Sequence, residues 1–167
     1  MKVYSIIASL LILVSCDVIR NINDEKICDL CNQSNSIVID EYEILVLDLF
    51  TPNNDAINDL YVLTATDTAG AYELNEVFKS VIFRLYESSP DKPIFELENS
   101  PVQFDGRDMD GRFLDDGVYT YDLIIEDVTY TRKLGIIRNG ICLDDYECGA
   151  NCTMMDSGDP FIVDDCN

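Results

Sequence analysis

No histidine and no tryptophan occur in the 167 residues. The first absence removes the side chain that titrates near neutral pH and the usual zinc ligand, so neither a Ser-His-Asp nor a Cys-His arrangement can be assembled. Basic residues are scarce: 11 Lys and Arg stand against 32 Asp and Glu, for a formal charge of −21. A surface of that sign repels phosphate backbones, which excludes nucleic acid as a partner. Its simplest use is to keep an exported protein soluble, and its more specific use is divalent cation binding. No Gly-rich phosphate loop or dinucleotide fingerprint is present. Carboxylates remain, but 32 of them place some pair close together in any fold, so proximity alone does not argue for a glycosidase-like acid and base. The expectation is a protein that is not an enzyme.

Long hydrophobic runs are missing as well. The apolar stretch from Val3 to Val14, behind the single basic residue Lys2, is too short to span a bilayer but suits a signal peptide. It ends Leu13-Val14-Ser15-Cys16, which resembles a bacterial lipoprotein signal. The resemblance implies cleavage after Ser15 and lipidation of Cys16 on sulfur, with several acyl chains giving a stable membrane anchor. The expected organisation is a signal peptide over 1–15, a lipidated cysteine with a polar tether over 16–36, one domain over 37–139 and an acidic, Cys-rich tail over 140–167. The expected location is the bacterial cell envelope, with the outer membrane as the anchoring surface.

Of the seven cysteines, setting Cys16 aside leaves Cys28, Cys31, Cys142, Cys148, Cys152 and Cys166. An even number in an exported chain predicts disulfides, with the pairing open. The tail carries seven acidic residues, no basic ones and few apolar ones, so crosslinks would do there what a core cannot. Two other readings of the cysteines compete. A redox pair at Cys28 and Cys31 needs a helix behind it, and Asn32-Gln33-Ser34-Asn35 is no helix start. A four-cysteine zinc site drawn from both ends competes with oxidation outside the cytoplasm.

Short strand signals separated by turn residues fill the middle of the chain. Ile37 to Phe50 reads as one or two strands, Leu60 to Thr66 as a strand, and Asp67 to Glu76 as a loop with room for one helical turn near Tyr72 to Val77. Phe78 to Tyr86 alternates, with Val81, Phe83 and Leu85 on one face, and pairs as a hairpin with Ile94 to Glu98. Asp116-Gly117 precedes a strand whose Tyr119, Tyr121, Leu123 and Ile125 share a face, and Thr129 to Asn139 closes the set. About seven such strands with regular turns predict an all-β fold, an immunoglobulin-like β-sandwich.

The stretch Phe50 to Leu63, FTPNNDAINDLYVL, holds the densest set of side-chain oxygens between two strands. Pro52 fixes φ, while Asn53 and Asn54 tolerate left-handed backbone. Asn53, Asp55, the Ile57 carbonyl and Asp59 imitate the spacing of a calcium loop without its bidentate final glutamate, and are candidate Ca2+ ligands. The same oxygens serve equally as Asx acceptors that hold the turn without an ion. A second acidic loop, Asp105, Asp108, Asp110, Asp115 and Asp116, carries the same two readings.

These residues also carry a resemblance. Thr51-Pro52-Asn53, Asp55 and Asn58-Asp59 before an aromatic strand, then FDGRDMDGRFLDDGVYTYDLII from Phe104, and a close on Gly135-Ile136-Ile137-Arg138, are similar to the gliding-motility-associated C-terminal domain. That family is an immunoglobulin-like module used as a sorting domain in type IX secretion. Asn54 and Ala56 stand where it usually has glycine, and Asp115 where it tends to have proline. Gly140 to Asn167 continues past the strand on which a sorting domain ends. The resemblance and the lipoprotein signal together imply a non-catalytic, lipid-anchored protein that serves adhesion or assembly of surface, gliding or secretion components. Its partners would be envelope or surface proteins or glycans. One alternative is a type IX sorting module. Another is a carbohydrate-binding module, which would need a planar patch from the nine tyrosines.

Overall fold

Period-two alternation decides which side chains meet. Val81, Phe83 and Leu85 from one strand and Tyr119, Tyr121, Leu123 and Ile125 from another are all buried, because alternate residues of a strand face one side of its sheet. The computed structural model describes Leu30, residues 33–54, 56–57, 59–87 and 92–138, and the backbone of 141–142 and 162–163. Cys16, Cys28, Cys31, Cys148, Cys152 and Cys166 lie outside the described residues, as do Asp55 and Asn58. Of Cys142 only the backbone is described.

Strands β1 (Ser36–Ile39), β2 (Tyr42–Leu45), β4 (Tyr61–Thr66), β5 (Ala71–Glu73) and β8 (Val102–Phe104) form one sheet, in the order β1-β2-β4-β5 with β8 also on β4. The facing sheet runs β3 (Leu49–Phe50), β10 (Val128–Ile136), β9 (Gly117–Ile125), β6 (Val81–Tyr86), β7 (Phe95–Glu98). One helical turn, Leu74–Val77, follows β5. The fold is an all-β sandwich. Ten strands make it rather than about seven, because Ile37 to Phe50 breaks into three pieces and two short strands, β5 and β8, complete the first sheet. The first break is Asp40, at φ 52°, in the turn between β1 and β2. The second comes after β2, where the chain leaves the first sheet for the other and β3 pairs in parallel with β10 at Gly135 and Ile136.

Two features accompany the immunoglobulin-like arrangement. Near the start of β9 the Tyr119 hydroxyl donates to the carbonyl of Asp115 at 2.8 Å, a corner bond known from such sandwiches. Between the sheets, Phe50, Tyr61, Phe83, Phe95, Phe104 and Tyr121 make a chain of ring contacts with centroids 4.6 to 6.4 Å apart. Each such pair contributes about 0.5–1.5 kcal/mol beyond area burial. At its centre the Tyr61 hydroxyl donates to the Tyr121 hydroxyl at 2.9 Å.

The end of the expected tether belongs to this body. Leu30 is fully buried. The Gln33 side chain imitates a neighbouring strand by donating from Nε2 to the Lys133 carbonyl at 3.1 Å and accepting the Lys133 N–H on Oε1 at 2.8 Å. Gly135 makes the space: a Cβ there would collide with Leu49 and come within 2.9 Å of Leu30 Cδ2. In the tail, β11 (Ile141–Cys142) and β12 (Ile162–Val163) pair in parallel.

Burial pushes the Tyr121 phenol from its ordinary 10.0 up to about 12 and raises Tyr61 well above that ordinary value. Tyr119 is also pushed up to about 12, by burial first and then by the charges of Glu87 and Asp115. Between the unfolded and folded values the unfolded chain binds fewer protons, so stability is intact below pH about 10 and falls as pH rises through about 12. The expected result is a phenolate absorbance step that coincides with loss of the β circular dichroism signal. Phenols that all titrate near their ordinary value with the fold intact would contradict the packing.

Candidate functional site

The turn after β3 is held mainly by one carboxylate. Asp59 Oδ1 accepts the N–H of Asn54 at 2.6 Å, and its Oδ2 accepts the N–H of Ala56 at 2.7 Å. Thr51, fully buried, donates from Oγ1 to the Ile57 carbonyl at 3.3 Å and accepts the Asn53 N–H on its own carbonyl at 2.7 Å. Of the candidate calcium ligands, Asn53, Ile57 and Asp59 therefore share one turn, and two of them already bond to the turn itself. Among the described residues no group of three acidic or cysteine side chains is placed to hold a metal ion. Asp55, the remaining candidate, lies outside them.

The backbone of this turn has a geometry that favours glycine at two positions. Asn54 has φ 67° and Ala56 has φ 72°, both in the left-handed region that a Cβ disfavours. Asn54 is suited to it, whereas Ala56 adopts it at a cost and is held there by its bond to Asp59.

The second acidic loop sits against the first. Gly106, at φ 80°, lies so close to Pro52 that a Cβ would approach Pro52 Cγ to 2.7 Å. The carboxylates of Asp105, Asp108 and Asp110 are engaged within the second loop. Asp108 Oδ1 accepts the N–H groups of Asp110 and Arg112, each at 2.9 Å, and its Oδ2 accepts Arg112 Nε at 2.9 Å. Asp105 accepts the N–H of Arg107 at 3.2 Å, and Asp116 accepts the N–H of Arg138 at 2.9 Å. Asp115 contributes its backbone carbonyl to the Tyr119 corner. The Arg112 backbone N–H, with its side chain, holds the Asp108 carboxyl below the usual carboxylate range. That direction is opposite to what a general acid requires.

Six of the described tyrosines fall into two groups. Tyr61, Tyr86, Tyr119 and Tyr121 are buried, and the half-exposed pair Tyr42 and Tyr72 meets edge to face, with an interplanar angle of 87°. Sequence reasoning missed the packing of Leu30 and Gln33 against β10, about 100 residues away, and the stacking of Arg138 on Phe113. The glycine of the closing motif was the available signal for the first, since a small residue in a strand marks a close approach.

No family model matches the chain. Over 117 residues, 69% of its length, the chain is 25% identical to the DNA repair protein RAD5 of the yeast Debaryomyces hansenii, and it spans 9% of that protein.

Replacing Ala56 by glycine is expected to raise stability by about 0.5–1 kcal/mol, because relief of left-handed strain exceeds the entropy that glycine adds to the unfolded chain. Equilibrium urea denaturation measures it. An unchanged or lower midpoint would show that the turn is not strained at this residue.

Proposed function

We propose that this chain is a non-catalytic, lipid-anchored envelope protein whose immunoglobulin-like sandwich serves adhesion or assembly of surface components. The observation that carries the reading is the use of its carboxylates: Asp59 and Asp108 each spend both oxygens on turn bonds. That use builds rigid loops on a scaffold and leaves these residues unsuited to acid–base work. The lipoprotein signal ending at Cys16 and the resemblance to the gliding-motility-associated C-terminal domain support the location and the class of partner. No helix among the described residues is long and apolar enough to cross a membrane, and the anchor proposed here is acyl.

A route of contact lies at the edge of the second sheet along Thr129 and Thr131, which no described strand pairs with on the side away from β9. Gly135 and Lys133 of β10 direct their backbone groups outward to Asp48 and Gln33. By the same period Thr131 and Thr129 point theirs outward beyond the reach of β3, which pairs only with Gly135 and Ile136. Such an edge accepts an added strand from a partner. The sorting alternative is weaker, because 28 residues follow Asn139 in the sequence, where a sorting domain of this kind would end.

Thr131→Pro removes one outward N–H and blocks strand addition while leaving the backbone bonds to β9 in place, and Thr131→Ala controls for the lost Oγ1 bond to Asp122. Cells carrying the proline variant are expected to keep the protein folded and membrane-bound but to lose the surface assembly or adhesion that the wild type restores to a deletion strain. Wild-type behaviour of the proline variant would remove the edge from the account. A deletion strain with unchanged adhesion and surface assembly would remove the function itself.

A further inference from the structure

Arg138, the last described residue of the sandwich, carries the one buried side-chain donor among the described residues that has no acceptor, its Nε. Its guanidinium carbon stacks 4.0 Å from the centroid of the Phe113 ring, which the guanidinium of Arg107 approaches to 3.6 Å. Two cations thus share one aromatic ring. Arg107 is already matched, by Asp105 at 3.3 Å and by the Gly111 carbonyl at 3.1 Å. Arg138 is not: no described carboxylate lies within ion-pair distance of it. Asp116, close by, gives its Oδ1 to the backbone N–H of Arg138.

In a chain with 32 acidic and 11 basic residues, an arginine without a carboxylate is unexpected on charge alone. Buried donors in native proteins have acceptors, and an unpaired one points to a bound water or ion. Stacking on Phe113 fixes the plane of the guanidinium, so its planar fork is prepared for a bidentate acceptor. We propose that Arg138, backed by Phe113 and Arg107, is a binding site for a carboxylate group. A carboxylate fits better than a phosphate, because a chain of charge −21 repels a dianion more strongly than a monoanion. The carboxylate has two available sources. One is this chain's own tail, which begins just after Arg138 with seven acidic residues and no basic ones, at high effective concentration. The other is an acidic residue of a partner. The site stands independently of the function proposed above.

The test follows the Arg138 Nε–H resonance, assigned through the backbone, in the full chain by nitrogen–proton NMR. Sodium acetate is titrated against sodium chloride at matched ionic strength. The wild type is compared with a chain whose seven tail carboxylates are replaced by their amides. A saturable shift with acetate in the wild type supports a site filled from outside. A resonance that moves on tail neutralisation, with acetate restoring its position only in that variant, supports the tail as occupant. Phe113→Leu is expected to weaken either response several-fold. No saturable response to acetate in either chain, or an equal response to chloride, would overturn the proposal.

Discussion

Two buried phenol groups, bonded hydroxyl to hydroxyl, set the terms for this sandwich. Tyr61 comes from one sheet and Tyr121 from the other, and neither hydroxyl can reach water, so each has to find its partner across the core. That bond fixes how the sheets face each other. The rings around it then fill the space between them, from Phe50 on β3 to Phe95 on β7. One consequence reaches the surface: with Phe50 and Phe104 packed together, the turns that follow them are brought side by side, and Pro52 rests on Gly106. The two acidic loops are neighbours because of the aromatic core beneath them.

The long strands were legible because their burial follows a period of two. Val81 to Leu85 and Tyr119 to Ile125 alternate cleanly, and their buried faces are those the pattern implies. Ile37 to Phe50 was less legible, because the break at Asp40 depends on a left-handed residue and the change of sheet before β3 leaves no local mark. Leu30 and Gln33 could not be read at all: Gln33 meets Lys133 100 residues away, and a polar run gives no sign that its end is packed. In the Pro52–Asp59 turn, sequence identified the oxygens but not their use. A carboxylate that holds two amides and one that binds calcium have the same spacing in a sequence, and Asp59 holds two amides here.

The functional reading joins evidence of different kinds. The sandwich comes from the structure. The proposed anchor and disulfides come from residues outside those the structure describes, and the proposed company of surface and secretion components comes from motif resemblance. The yeast relative, 25% identical and matched over 9% of its length, adds neither fold nor activity to this. What unites these parts is charge: an acidic chain keeps itself rigid by turning its carboxylates on its own backbone, and its few arginines take on positions that matter individually.

The intact mass of the protein from the membrane fraction of its own cells, before and after reduction and alkylation, tests the central claim most directly. The expected species begins at acylated Cys16, retains the tail through Cys166 and gains six alkyl groups, one for each remaining cysteine, only after reduction. A soluble species cut near Asn139, an unacylated N-terminus, or thiols that alkylate without reduction would contradict it.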